Sequence, residues 1–378
     1  MSIDEIKNGT KCYLNELFKE PIFIYYTTMN KINNLKNKKN NILKKEFKTI
    51  GIEKVIVPPD IKTDKEWVYI KDLDDQKITS MIIKFTTTLQ KRFNKEDLAY
   101  FYKNAKSINI FQIKTDLSKL LFSVKQGKHV EGIYMANKNC ISINSDCLNS
   151  SFYHELFHMA TAYSSKKKTV CGFAQGYITN FDDANYENAI IIGKALNEGY
   201  TEIMTNRYFD VDISKCGYAY YVEMASKVET IVGQEFMEKQ YMHANLKELI
   251  IELTKYSSVE DTLNFIKNLD FHIMHVKNKH KTNLEKRLLR KCKRDCALYL
   301  INTFENKMKM EYSMGNITAC KALDNIDDFN KSFLNNTNFK HHLSKEDQNN
   351  IINTIMQDFN IYTAEDYQFA YYKEQVLK

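Results

Sequence analysis

The sequence is poor in the two residues that most often interrupt regular backbone structure. Its 378 residues include only 11 glycines and 3 prolines. Because tight turns depend on glycine and proline, this scarcity argues against an all-β fold with many hairpins and favours long helices. Hydrophobic residues make up 43% of the chain and charged residues 27%, which is an ordinary globular composition. At about 100–200 residues per domain, the length predicts two or three domains with real hydrophobic cores.

Long apolar runs and paired-cysteine motifs are also missing. No stretch approaches 18 apolar residues, so we expect no membrane-spanning helix. Residues 1–5 are acidic and lack an apolar run, which argues against a secretory signal. The 8 cysteines include no CxxC pair and no dense framework, a usage typical of reduced, mostly buried thiols in an intracellular protein. We therefore expect a cytoplasmic protein, while export without a cleaved signal stays open.

The charge of the chain is only mildly one-sided. Lys and Arg number 54 against 47 Asp and Glu, which gives a formal net charge of +7. Scattered over this length, the excess is typical of a solvated surface. The chain carries no RNP-type, zinc-knuckle or phosphate-loop signature. We therefore expect no nucleic-acid partner. The alternative is a nucleic-acid-binding protein, suggested by the basic balance, but it leaves Glu198 and Glu202 unexplained.

Apolar spacing along the chain predicts an α+β fold that is predominantly helical. Two strands, over about 130–135 and 139–144, should form a small antiparallel sheet joined by a polar turn. Helices should follow over about 148–163 and 189–208, with an irregular stretch over 164–187 between them. Beyond residue 214 nearly all of the spacing is helical. We divide the chain into an N-terminal accessory region, a central domain and a helical C-terminal region, at 1–105, 106–250 and 251–378.

The strongest chemical signal is the motif H-E-x-x-H at residues 154–158. On a helix His154 and His158 lie one turn apart, so both imidazoles project from one face and suit two positions of a tetrahedral Zn²⁺ site. Glu155 sits about 100° around the helix and can reach a water at the metal without being a ligand. The alternative is a pair of surface histidines with a glutamate between them. The apolar residues around the motif favour a buried helix instead, on which histidines need partners.

A second signal lies in the segment Asn197-Glu198-Gly199-Tyr200-Thr201-Glu202. Glu198 and Glu202 are again one helical turn apart. Two carboxylates on one face of a mostly buried helix repel each other unless a cation or a donor receives them. We interpret Glu198 as the third metal ligand. Glu202 would accept the free ring N–H of a ligand histidine and fix its tautomer; the alternative is an ordinary helix with two exposed glutamates.

H-E-x-x-H followed by a helix with N-E-G-x-x-E resembles the gluzincin metallopeptidases, both the membrane-alanyl-type aminopeptidases and the thermolysin-like enzymes. The resemblance covers about residues 130–210. It implies a zincin-like catalytic core over the central domain, in which an edge strand lies above the active-site helix and binds the peptide by strand addition. The strand over 139–144 is the expected edge. The gap between His158 and Glu198 is longer than in those enzymes and similar to that of bacterial toxin gluzincins such as clostridial neurotoxin light chains, and Glu202 stands where thermolysin-like enzymes have Asp.

These residues together predict a zinc metallopeptidase. His154, His158 and Glu198 would hold Zn²⁺, and Glu155 would be the catalytic general base that takes a proton from the attacking water. The substrate would be a peptide or protein, with endopeptidase and aminopeptidase action both left open, as is the oligomeric state. The alternative is a non-catalytic, zinc-bound zincin scaffold that serves as a protein-interaction module.

Three further expectations concern the surroundings of this site. A donor to the oxyanion is expected among four tyrosines, Tyr200, Tyr218, Tyr220 and Tyr221. We favour Tyr221, which lies on the helix after the one that carries Glu198. The irregular stretch over 164–187 should border the cleft, because both of its ends are fixed at metal-binding helices. The loose histidine cluster further along the chain is interpreted as surface or packing residues; its members are His272, His275 and His280.

Overall fold

The structure is a computed structural model, and it describes the chain in several stretches. These are residues 53–56, 59–62, 67–70, 76–113, 131–164, 168–177, 190–212, 217–276, 281–334, 343 and 346–347. His280 and parts of the predicted irregular stretch, 165–167 and 178–189, lie outside these residues. So does most of the predicted N-terminal accessory region.

Ten strands are described, and most are short. They are β1 (Glu53–Ile56), β2 (Pro59–Lys62), β3 (Trp67–Ile70), β4 (Asn109–Ile113), β5 (Gly132–Met135), β6 (Cys140–Asn144), β7 (Ala162–Ser164), β8 (Lys168–Cys171), β9 (Ala174–Tyr177) and β10 (Ile190–Ile192).

Ten α-helices are described, and the last seven follow one another without an intervening described strand. They are α1 (Gln76–Arg92), α2 (Ala99–Ala105), α3 (Leu148–Thr161), α4 (Lys194–Phe209), α5 (Ala219–Val232), α6 (Gln234–Met242), α7 (Leu246–Leu253), α8 (Val259–Val276), α9 (Asn283–Ser313) and α10 (Ala319–Leu334). The prediction of a predominantly helical α+β fold is therefore confirmed. No helix in the described stretches is long and apolar enough to cross a membrane.

The described residues cluster into two compact units. The first comprises those up to residue 191 together with 200–219 and 238–246. The second comprises 192–199, 220–237 and the described residues from 247 onwards. The boundaries of these units do not test the predicted division into an accessory region, a central domain and a C-terminal region at 105/106 and 250/251, which stays a prediction.

A four-stranded mixed sheet in the first unit carries helix α3. Its strand order is β1-β4-β6-β5, with β4 parallel to β6 and β5 antiparallel to β6. The predicted hairpin of β5 and β6 is present, but two expectations about the sheet were wrong. The sheet is not purely antiparallel, and the strand ending at Asn144 is interior, because β4 pairs with its other side. Among the described strands, the edge strand beside helix α3 is β5.

Every residue of helix α3 from Phe152 to Thr161 is buried, as the apolar residues around the motif predict. One side packs against β5 and β6. On the other, Phe157 contacts the Phe85 ring of α1 at 5.0 Å between centroids, and Tyr153 stacks on Phe209 of α4 at 4.1 Å. Aromatic pairs at these separations contribute about 0.5–1.5 kcal/mol beyond their buried area. They fix the second half of α4 against α3.

The segment after α3 is more regular than its composition predicts. Helix α3 runs directly into β7, which pairs antiparallel with β8, and β8 pairs in turn with β9. Gly172, at a positive φ of 53°, makes the tight turn from β8 to β9. The prediction of an irregular stretch was therefore wrong for the described part of 164–187. The two hairpins return the chain to the side of α3.

Packing in the second unit is between long helices. Tyr299 of α9 stacks on Phe265 of α8 at 4.6 Å and donates from its hydroxyl to Thr262 at 3.0 Å. Helix α9 begins with a capping box, in which Thr282 and Glu285 satisfy each other's backbone N–H groups. Cys292 and Cys296, one turn apart on α9, are buried packing residues as predicted.

Candidate metal centre and active site

The two histidines of the motif lie on helix α3 with their rings turned toward one point. Nε2 of His154 lies 2.9 Å from Nε2 of His158, with the ring planes 81° apart. The residues are only 6% and 7% exposed. The alternative of two surface histidines is therefore contradicted.

Glu198 joins this pair from helix α4. One ligand atom from each of His154, His158 and Glu198 lies within 4.8 Å of the others, and this is the sole such group found among the described residues. Glu198 is half-buried. The structure thus brings together the three residues that spacing alone selected, although 39 residues of sequence lie between His158 and Glu198.

Glu202, one turn further along α4, faces the first histidine. Its Oε1 lies 3.3 Å from Nδ1 of His154, and both side chains are largely buried. A carboxylate only accepts hydrogen bonds. A proton on Nδ1 of His154 would face this carboxylate, and that tautomer leaves a lone pair on Nε2. The expected contact between Glu202 and a motif histidine is present.

The second histidine has a partner that the sequence reasoning missed. Sγ of Cys171, at the end of β8, lies 3.3 Å from Nδ1 of His158 and donates at 3.3 Å to the His158 carbonyl oxygen. No local signal marked this cysteine. Its position depends on the pairing of β7 with β8. The sequence that connects these strands, residues 165–167, has no strong turn signature.

The donor arrangement fits a cation. In the tautomer with both ring protons on Nδ1, the two Nε2 lone pairs face each other across 2.9 Å. Either the proton of a His–His hydrogen bond or a metal ion can then lie between the two rings. A carboxylate in the same group favours the metal ion, and two imidazole nitrogens with one carboxylate oxygen are ligands that Zn²⁺ prefers. Ligand atoms of a tetrahedral zinc lie about 3.4 Å apart, which falls between the 2.9 Å that separates the two Nε2 atoms and the 4.8 Å within which all three ligand atoms lie.

Glu155 is outside this group of three and lies against the edge strand. A Cβ atom placed on Gly132 of β5 would come within 3.0 Å of Cγ and 3.2 Å of Oε1 of Glu155. The Glu155 side chain therefore passes directly over the glycine backbone. Glu155 is 6% exposed. Glu155 thus fills the space on the face of strand β5 that a side chain at position 132 would occupy.

Comparison with family models, curated proteins and solved structures finds no match to this chain. The chemistry of the site therefore rests on its own geometry.

The tyrosine favoured as an oxyanion donor is engaged elsewhere. Tyr221 is 3% exposed, and its hydroxyl is 2.8 Å from Nδ1 of His272 in the second unit. Burial raises the pKa of the Tyr221 hydroxyl well above its usual range. Of the four tyrosines considered, Tyr218 is the one whose ring stacks on His154, at 6.1 Å between centroids and 12° between planes. His272 is buried, which agrees with its interpretation as a packing residue.

The beginning of helix α4 is held by a buried carboxylate. Asp270 of α8 accepts from the backbone N–H of Gly193 at 2.6 Å and of Ala195 at 2.9 Å. These N–H groups belong to the unsatisfied first turn of α4, so Asp270 caps the helix from a distant part of the chain. Complete burial raises the pKa of Asp270 to about 7, although the two backbone hydrogen bonds act in the opposite direction.

Proposed function

We propose that this chain is a zinc-dependent peptidase. The observation that carries the proposal is the convergence of His154, His158 and Glu198, with a separate buried glutamate, Glu155, beside the edge strand. A purely structural metal site has no need of such a glutamate. The gluzincin-type zincin core implied by the sequence resemblance belongs to the same proposal.

His154, His158 and Glu198 would hold the metal through two Nε2 atoms and a carboxylate oxygen. Bound Zn²⁺ supplies a Lewis acid that makes water available as a nucleophile near neutral pH. The protein residues around it then determine orientation. Glu202, 3.3 Å from Nδ1 of His154, would hold the ring proton there, leave the lone pair of Nε2 for the metal and increase the basicity of the ring.

Glu155 would be the general base. Its carboxylate takes a proton from the attacking water and passes it to the leaving amine of the peptide bond. The side chain is well suited to this role because it is buried, lies outside the ligand group and is confined by the backbone of Gly132 and the body of helix α3. Confinement of this kind reduces the reorganisation needed at the moment of reaction.

Strand β5 would present the substrate. It lies at the end of its sheet, with β6 on one side and no further strand on the other in the described residues. An extended peptide can add to such an edge through main-chain hydrogen bonds. Because Glu155 lies against Gly132 of this strand, a peptide bound there has its backbone near the proposed base.

The test separates the base from the ligands. Glu155→Gln keeps the shape of the side chain but accepts no proton at neutral pH, so it should retain zinc and lose about 10²–10⁴-fold in peptide hydrolysis. Glu198→Gln should lose zinc affinity and activity together. Glu202→Gln should show an intermediate loss of about 10–100-fold. The measurement is turnover of a fluorescence-quenched peptide library alongside zinc content.

The matched control is Glu260→Gln, which changes an exposed glutamate of α8 in the same way. It should equal the wild type in both measurements. If Glu155→Gln cleaves as fast as the wild type, the mechanism is wrong. If the wild type binds zinc but cleaves no peptide, the non-catalytic scaffold is the better description.

A further inference from the structure

The partner of His158 differs in kind from the partner of His154. His154 faces a carboxylate at Nδ1, whereas His158 faces the thiol of Cys171. The pairing of strand β7 with strand β8 determines the position of Cys171. Ala162 and Cys171 are paired residues in the β7–β8 ladder, and β7 continues directly from helix α3. The hairpin therefore returns Sγ to the helix that carries His158.

The thiol makes two contacts with the same residue. Its S–H donates to the carbonyl oxygen of His158, and its sulfur lies 3.3 Å from Nδ1 of the ring. With the thiol proton on the carbonyl oxygen, the sulfur lone pairs are left to accept the ring N–H. Thr161, one turn after Phe157, donates to the carbonyl oxygens of Phe157 and His158 on the same side of the helix.

These contacts have a definite consequence for the ring. An accepting sulfur at Nδ1 places the proton of neutral His158 there and leaves the lone pair on Nε2, toward His154 and Glu198. It also restrains rotation of the ring about the bond to Cβ. Both effects prepare Nε2 to act as a ligand, which is the usual role of the outer partner of a metal-binding histidine.

We propose that Cys171 is a positioning residue, which fixes the Nδ1–H tautomer and the ring orientation of His158 for metal binding. This inference rests on the proposed function. It assigns the cysteine no contact with the metal or the substrate. Sγ lies on the Nδ1 side of the ring, and Cys171 is not in the group of ligand atoms that converge within 4.8 Å.

The test uses Cys171→Ala, which removes both contacts, and Cys171→Ser, which keeps a smaller group able to donate and accept. Zinc affinity is measured by competition with a chromogenic chelator. Cys171→Ala should bind zinc about 10–100-fold more weakly than the wild type, and Cys171→Ser should recover part of that loss. The control is Cys147→Ala, a cysteine of similar exposure at the start of helix α3, which should bind zinc as the wild type does.

A second readout needs no metal. In ¹⁵N-histidine-labelled apo protein at about pH 8.5, where imidazoles are neutral, wild-type His158 should carry its proton on Nδ1. Cys171→Ala should shift the population toward Nε2–H, and Cys171→Ser should not. This spectrum separates the two proposals. If the wild type binds no zinc, the proposed function fails, while the tautomer still tests the role of Cys171.

Two results would overturn the inference. Equal zinc affinity and an unchanged His158 tautomer in Cys171→Ala would show that the thiol does not position the ring. A sulfur-to-metal charge-transfer band in the Co²⁺-substituted wild type, lost in Cys171→Ala, would show that Cys171 is a ligand instead.

Discussion

Gly199, next to the proposed ligand Glu198, is the position at which a single added methyl group should most reduce the stability of the fold. A Cβ atom there would lie 2.1 Å from the backbone oxygen of Tyr221, 2.3 Å from its carbonyl carbon and 2.8 Å from the nitrogen of Val222. Ordinary van der Waals contact begins at 3.4 Å. Helices α4 and α5 would therefore have to separate locally by about 1.3 Å, the difference between 3.4 and 2.1 Å.

Two effects of Gly199→Ala oppose each other. Alanine stabilises a helix interior by about 1 kcal/mol relative to glycine. Overpacking a core costs about 1–3 kcal/mol and more where the obstacle cannot rotate away. Here the three nearest atoms are all backbone, from the peptide group between Tyr221 and Val222, so we expect a cost above about 3 kcal/mol and a net loss of at least about 2 kcal/mol.

Urea unfolding followed by far-UV circular dichroism measures this loss. The control is Gly217→Ala, because a Cβ atom on Gly217 meets nothing within 4 Å. It should stay within about 0.5 kcal/mol of the wild type. If Gly199→Ala is as stable as the wild type, or more stable, the gain in helix propensity exceeds the cost of overpacking. That result would contradict the close approach of α4 and α5.

Two further predictions concern the base and the helix cap. Gly132→Ala would press a methyl group against Glu155, so it should lower peptide turnover by about tenfold with zinc content unchanged; unchanged turnover in a peptidase assay would contradict this. Because Asp270 has a folded pKa of about 7, above the unfolded value of about 3.9, the folded state binds its proton more tightly, and stability should fall as pH rises from about 4 to 7. Asp270→Asn should remove that part of the slope in urea unfolding at pH 5 and pH 7.5, whereas parallel pH profiles for the two proteins would contradict the assignment.

The parts of the site that share one helix could be predicted from the sequence. Residues four apart on a helix lie on one face, so the pairing of His154 with His158 and of Glu198 with Glu202 follows from spacing. The burial of helix α3 follows from its apolar composition. The break between α8 and α9 was also predictable, because Thr282 and Glu285 form a capping box.

The parts that depend on pairing between distant segments could not be predicted. Strand β4 inserts beside β6 and makes it interior, a contact between residues 109–113 and 140–144 that no local pattern reveals. Cys171 reaches His158 only because β8 pairs back on β7. Tyr221 was favoured from its place in the chain, yet its hydroxyl is turned toward His272. Register and strand order are properties of tertiary structure, and local spacing does not determine them.

The central claim is that His154, His158 and Glu198 bind one zinc ion, and elemental analysis of zinc-saturated, gel-filtered protein tests it most directly. The wild type should hold one zinc per chain, and His158→Ala should hold little, because two of three protein ligands rarely suffice for a stable site. His275→Ala is the control, since His275 bonds to the Phe271 carbonyl oxygen and should leave zinc content unchanged. A wild type that retains no zinc, or equal zinc in wild type and His158→Ala, would contradict the account.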